Sequence, residues 1–243
     1  MLNQSTQVDT SIPNSAFRIP NYKKGSVNIM KTAIFDLDGT IANTIADLGA
    51  AVDNGLEVLG FPKHTIAEYK QFVGNGAMKL CERALPDGHK DLAPKLHELF
   101  KEYYSVHLLD NTTLYDGIAD TLRTLSENGV ILAVATNKPE DAAVKIIAKL
   151  LPDVDFIKIL GGVDTRPKKP DTAIISVILS ALPEKDGKVW MIGDSNVDVQ
   201  TGKNAGIPVI GCAWGFRGRT ELESAGADYI ASEAGEIADI ILK

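Results

Sequence analysis

The chain has 243 residues, 44% of them hydrophobic, which suffices for one domain carrying an insertion or for two small domains. Lys and Arg total 25 against 32 Asp and Glu, a formal net charge of -7, which argues against a nucleic-acid footprint but leaves room for a small anionic substrate. Cys81 and Cys212 lack metal-ligand spacing and suggest a reduced, cytoplasmic chain, and no apolar run approaches the ~18 residues of a membrane span.

Residues 1–29 are rich in Asn, Ser, Thr, Gln and Pro and lack the continuous apolar segment of a secretory signal. They read either as a loosely ordered arm or as a non-native leader ahead of a start at Met30. Strand residues then run through Ala33-Ile34-Phe35 into Asp36-Leu37-Asp38-Gly39-Thr40. Positions two apart on a strand share a face, so Asp36 and Asp38 converge where the strand stops. Adjacent carboxylates repel unless a cation lies between them or one holds a proton. The first remedy is a hard divalent ion on oxygen ligands, and the second is a nucleophile beside a general acid. Thr40 adds a hydroxyl for a bound anion. The plain alternative is an Asp-Gly turn closing a strand.

Helical spacing follows from Ala46 to Leu59, with Leu48, Val52 and Leu56 on one face. A helix from Thr65 to Phe72 carries Thr65 as its cap and Glu68 three residues on. After the glycine-rich break Val73-Gly74-Asn75-Gly76-Ala77, a helix runs through Leu85, and another spans Asp91 to Leu108 with Pro94 in its first turn. Residues 44–112 are therefore predicted to form a helical cap. Residues 30–43 and 113–243 are predicted to form an α/β core, because strand and helix alternate from there on. Helices are expected at 117–128, up to about Leu151, and at 171–182, 197–205, 220–225 and the C-terminus. Strands are expected at 130–135, 156–160 (ended by a break at Gly161-Gly162), 189–192, 207–212 and 229–230. The fold class is α/β, a doubly wound parallel sheet with a Rossmann-like core whose ligands bind beyond the carboxyl ends of the strands.

The polar clusters fall at those ends. Asp36 and Asp38, Thr136 and Asn137, and Asp194, Ser195 and Asp198 each follow an apolar run, while Lys169 sits in the turn before a helix. A Lys-Pro pair alone is equally the solvated start of a helix. Together the four loops hold carboxylates for a metal, a hydroxyl and an amide for phosphate oxygens, and an ammonium: the parts of phosphoryl transfer.

In order, Asp36-Leu37-Asp38-Gly39-Thr40, Thr136-Asn137-Lys138, Lys169-Pro170 and Gly193-Asp194-Ser195-Asn196-Val197-Asp198 resemble the four motifs of the haloacid dehalogenase superfamily. Within it the chain resembles phosphoglycolate phosphatases, through Phe72 to Ala77, Glu82-Arg83-Ala84-Leu85, Val199-Gln200-Thr201, Asn204-Ala205-Gly206 and Trp214-Gly215-Phe216-Arg217. The resemblance implies a magnesium-dependent phosphomonoester hydrolase acting through an aspartyl phosphate on Asp36. Asp38 would be the acid and then the base. Asp36, the Asp38 backbone carbonyl and Asp194 would hold Mg2+, with Asp198 and Ser195 behind them. Thr136 and Asn137 would bind phosphoryl oxygens, and Lys169 would neutralise charge.

The implied substrate is a small phosphate ester, 2-phosphoglycolate first, with no nucleic acid or membrane partner and the oligomeric state left open. Its carboxylate would meet Asn75 and Gly76 at a helix N-terminus, and Arg83, one turn from Lys79. Both charges also read as solvated, and Arg217 is a further candidate whose first reading is structural. A sugar-phosphate mutase or a pyrophosphatase of the same superfamily is the alternative. A phospho-receiver module, from another class, has no use for the helical insert.

Overall fold

The computed structural model describes residues 29–183 and 186–243, so the predicted leader lies, but for Ile29, outside the described residues. Its centre is β1 (Lys31–Phe35), whose Ala33, Ile34 and Phe35 are fully buried, as expected of a strand covered on both faces. Parity divides them. Ala33 and Phe35 pack into one core layer, and Ile34 into the other with Ala133 and Met191.

β2 (Ala42–Asn43) follows, then α1 (Ile45–Leu59), α2 (Ile66–Phe72), α3 (Ala77–Ala84), a 3-10 turn at Lys90–Leu92, and α4 (Ala93–His107). β3 (Thr113–Leu114) returns antiparallel to β2, with Ala42 opposite Leu114 and Asn43 opposite Thr113. Then come α5 (Ile118–Glu127), β4 (Ile131–Pro139), α6 (Glu140–Leu150), β5 (Lys158–Gly162), α7 (Ala173–Ser180) and β6 (Lys188–Gly193). α8 (Asn196–Ala205), β7 (Val209–Cys212), α9 (Gly218–Ala225), β8 (Tyr229–Ala231) and α10 (Gly235–Leu242) complete the chain.

The main sheet has the order β5-β4-β1-β6-β7-β8, and its neighbours pair parallel throughout. Core strands counted alone, this is the doubly wound Rossmann order, which reverses at β1. A crevice opens where the order reverses, so the end of β1, where Asp36 stands, is the place for a ligand.

The helices between β2 and β3 pack on one another around Leu56, Tyr69, Leu96 and Phe100, all essentially buried. Gly55 makes room in α1, since a Cβ there would lie 2.5 Å from Leu96. Each such side chain contributes about 1.5–3 kcal/mol by burial. The predicted cap on α2 is present: Thr65 accepts from the Glu68 N–H, and Glu68 accepts from the Thr65 N–H.

Two features differ from the sequence reading. Gly161 and Gly162 are not a break but the end of β5, beside Pro139 of an extended β4. The reason is clearance, because a Cβ on Gly161 would lie 2.5–2.7 Å from the Glu140 and Lys138 backbone. The β2–β3 ribbon is too short for a periodic pattern. Asp47, in the first turn of α1 and 2% exposed, ties it down. Its carboxylate accepts from the N–H groups of Asn111 (2.9 Å) and Thr112 (2.8 Å), from the Asn111 amide (2.9 Å) and from the Thr112 hydroxyl (2.7 Å).

Candidate active site

Asp36 continues the line of β1, its N–H donating to the Ile192 carbonyl at 2.8 Å. Gly39 then turns the chain with φ +84, and a Cβ there would lie 2.2 Å from Asp194 Oδ2. Gly215 closes on Asp194 from the β7 side, where a Cβ would be 2.2 Å from the Asp194 Cβ. The Phe216 N–H, next in line, donates to Asp194 Oδ2 at 2.7 Å. Two close-packed glycines thus fix one carboxylate beside the end of β1.

Asp36, Asp194 and Asp198 are buried, and one oxygen from each lies within 4.8 Å of the others. Asp198 belongs to the capping box of α8, accepting from the Ser195 hydroxyl at 2.7 Å and the Ser195 N–H at 3.1 Å. Lys169 Nζ donates to Asp198 Oδ1 at 2.6 Å and stands 3.1 Å from Asp36 Oδ1, an ion-pair distance without hydrogen-bond geometry. Burial foremost, then the negative charges of Asp198 and Asp38, push Asp36 up to about 6, against the pull of Lys169 and a hydrogen bond from Thr136. Burial, then Asp198 and Asp36, raise Asp194 well above the usual carboxylate range. One lysine shared by two of three buried carboxylates leaves excess negative charge, and all three offer oxygen. That is what a hard divalent cation requires.

Asp38 lines the same cleft with other partners. Its Oδ1 accepts from Thr44 Oγ1 at 2.7 Å and from Lys138 Nζ at 2.9 Å. Lys138 is buried and also stands 4.9 Å over the Tyr104 ring of α4. Burial acts to lower its pKa, but the neighbouring Asp38 charge more than compensates, so the ammonium stays protonated. The same holds for Lys169, where burial is outweighed by Asp198 and Asp36.

One cavity joins these groups. Asp36, Asp38, Thr136, Asn137, Asp194 and Ser195 line it from the core, and Gly74, Gly76, Ala77, Leu80 and Phe100 line it from the inserted helices. Lys169 and Asp198 stand behind the lining. Thr40 is buried as well, its hydroxyl without a hydrogen-bond partner among the described residues.

Arg83 and Asn75 are placed differently from the sequence expectation. Neither lines the cavity. Arg83 donates to the Phe72 carbonyl and to Asn75 Oδ1, both at 2.7 Å, and so ties α3 to the loop before it. Asn75 borders a separate shallow groove beside Pro170 and Asn196. Arg217, read from sequence as structural, lines the cavity and also donates to the carbonyls of Gln71 (3.1 Å) and Val73 (2.9 Å). The sequence motif Thr136-Asn137-Lys138 assigns no role to its lysine. Lys138 lies in the stretch where the β4–β5 register shifts, between Ala135 and Pro139, an irregularity that no residue pattern displays.

The chain matches the family model of haloacid dehalogenase-like hydrolases over residues 33–212. It is 30% identical to a phosphoglycolate phosphatase of Vibrio parahaemolyticus over 219 residues, 87% of this chain and 96% of that one. It is 38% identical to a phosphoglycolate phosphatase of Pseudomonas putida over 194 residues, 76% of this chain and 70% of that one. A crystal structure from Lactobacillus delbrueckii subsp. bulgaricus, provisionally assigned as a phosphoglycolate phosphatase, superposes with a TM-score of 0.80 at 30% identity, covering 88% of this chain and 99% of that one. The chain belongs to the haloacid dehalogenase-like hydrolase family and resembles its phosphoglycolate phosphatases.

Proposed function

We propose that this phosphatase hydrolyses 2-phosphoglycolate through a phosphoryl-aspartate on Asp36, with Mg2+ as its metal. The observation that carries the reading is the pairing at the end of β1. Asp36 faces a lysine and two further buried carboxylates, while Asp38, two residues on, is held apart by Lys138 and Thr44. Two carboxylates of one strand end are thereby given different surroundings, which suits them to different roles.

An Asp36 oxygen attacks phosphorus, and the bond from phosphorus to the ester oxygen breaks. Asp38 gives its proton to the departing glycolate oxygen. As a carboxylate it then takes a proton from the water that attacks phosphorus, and the Asp36–phosphorus bond breaks to release phosphate. Thr136 and the backbone at Asn137 meet the phosphoryl oxygens, since the Lys138 N–H donates to the Thr136 hydroxyl and Pro139 has none, and Lys169 offsets charge on Asp36. Asp36, Asp194 and the Asp38 carbonyl would hold magnesium, with Asp198 and Ser195 supporting Asp194 and Lys169. The ion would offset charge on the phosphoryl group.

In this reading 44–112 is a cap that keeps bulk water out. Gly76 and Ala77 open α3 on the cavity side with no side-chain cap, and Arg217 stands near them, so the substrate carboxylate meets amides and a guanidinium. Among the described residues no helix is long and apolar enough to cross a membrane, and the reading places the enzyme in the cytoplasm on a small phosphate ester. The test is a panel of phosphate esters with magnesium, measuring released phosphate and isomerised sugar. 2-Phosphoglycolate should give the highest kcat/KM, and an acid-stable mass increase on the Asp36 peptide should appear during turnover. Isomerised product without phosphate release would indicate a mutase instead.

A further inference from the structure

Asn137 stands where β4 ends, between the inserted helices, the Lys169 turn and the cavity. Its side chain is fully engaged. Nδ2 donates to the Gly74 carbonyl at 3.0 Å and to the Lys169 carbonyl at 3.1 Å, and Oδ1 accepts from the Lys169 N–H at 2.8 Å. A primary amide has two N–H donors, and both are used within the chain. No side-chain donor remains for a phosphoryl oxygen while these bonds stand, so a phosphate-binding role passes to the backbone there.

What the carboxamide touches suggests another role. On one side is the loop between α2 and α3. The core grips backbone carbonyls at three places here: Arg217 takes that of Gln71 in the last turn of α2 and that of Val73 in the loop, and Asn137 takes that of Gly74. Gly76 presses on the same spot, since a Cβ there would lie 2.8 Å from Lys168 Nζ and 3.4 Å from the Asn137 carbonyl oxygen. On the other side, Asn137 holds both the N–H and the carbonyl of Lys169, whose ammonium bridges Asp198 and Asp36. Arg217 holds this segment but makes no hydrogen bond to Lys169 among the described residues. Asn137 holds the loop and the backbone of the lysine that faces the nucleophile.

We propose that Asn137 is a positioning residue whose carboxamide couples the seating of the 71–76 loop to the placement of Lys169 against Asp36. The nucleophile is fully assembled only when the inserted helices are seated over the cavity. Docking of the insert thereby sets the alignment of a charge that never leaves the core. The inference rests on the phosphatase reading for its kinetic part and on geometry alone for the rest.

The experiment compares the full-length parent, Asn137→Ala and Asn137→Asp, loaded with magnesium. The Asp variant keeps the acceptor for the Lys169 N–H but sets an oxygen against the two carbonyls, and it stands in if the Ala variant fails to fold. Hydrogen–deuterium exchange of the 74–80 amides is read beside kcat and KM for an aryl phosphate and the inhibition constant of inorganic phosphate. Coupling predicts exchange at least tenfold faster in 74–80, a kcat at least tenfold lower, and KM and the phosphate constant within about threefold of the parent. A rise in KM and in the phosphate constant with unchanged exchange would make Asn137 a plain phosphate ligand and overturn the proposal. Unchanged kcat would overturn it too. A parent that hydrolyses no phosphate ester would instead defeat the phosphatase reading, and the exchange comparison would still decide whether Asn137 seats the loop.

Discussion

Lys138 Nζ lies 2.9 Å from Asp38 Oδ1, a contact that closes 100 residues of chain. Thr44 donates to the same oxygen at 2.7 Å, so the proposed acid–base carboxylate is oriented from two sides before any substrate arrives. One donor comes from the end of β4 and the other from the residue that starts α1.

Lys138→Met should therefore misdirect Asp38. Losing a charge-assisted hydrogen bond costs ~1.5–3 kcal/mol, and if it is felt in the transition state kcat falls roughly tenfold to more than a hundredfold. KM should change little, because Asp36 and Asp194 are not in contact with this lysine. Steady-state kinetics on an aryl phosphate check it, with Lys138→Arg expected to restore part of the rate.

Asp36→Asn should abolish turnover and yet stabilise the metal-free protein at neutral pH. Asp36 is lifted to about 6 by burial foremost, so the native state holds its proton more tightly than the unfolded chain does. A raised carboxylate costs stability above its folded pKa, and that cost fades as pH falls toward ~4, the unfolded value. The variant should exceed the parent by roughly 1–3 kcal/mol at pH 7 and by much less at pH 4.5. Denaturant titrations at the two pH values in chelator supply the measurement, and equal differences at both would contradict the assigned electrostatics.

Magnesium should raise the melting temperature of the parent at pH 7 and restore activity lost on chelation. Calcium, which takes more and longer bonds, should bind but support turnover poorly. Asp194→Asn should lose the magnesium-induced shift. A shift that survives in this variant would remove Asp194 from the ligand set.

Arg83→Ala was expected from sequence to single out the substrate carboxylate. The hydrogen bonds of Arg83 to Phe72 and Asn75 predict a different result: stability falls by ~1.5–3 kcal/mol, and kcat/KM drops by the same factor for 2-phosphoglycolate and an aryl phosphate. A selective loss on 2-phosphoglycolate would return Arg83 to substrate recognition. Thermal melts and the ratio of the two specificity constants decide it.

The fold was legible where local chemistry repeats. β1 announces itself by an apolar run ending in polar residues, and α2 by Thr65 and Glu68 at capping distance. The alternation after Leu114 implies the doubly wound sheet, and that sheet places Asp36, Thr136, Lys169 and Asp194 together. What escaped has partners that no local periodicity reveals. Asn137 looks like a phosphate ligand until its three contacts, one 63 residues back and two 32 residues on, are seen to occupy it. Arg83 looks available until the backbone at Phe72 turns toward it. Two-residue strands such as β2 and β3 carry no period to read at all.

The ribbon of β2 and β3 bears on how the inserted helices are attached to the rest of the chain. The chain leaves the core at Asn43 and comes back at Thr113, and these two residues are paired neighbours. Beside this pair, Asp47 in the first turn of α1 accepts four hydrogen bonds from Asn111 and Thr112, the residues that lead into β3. Two connections fastened at one point behave mechanically as one. The inserted helices are therefore joined to the sheet through one paired crossing, and the hold of Arg217 and Asn137 on residues 71–74 is a second, separate attachment.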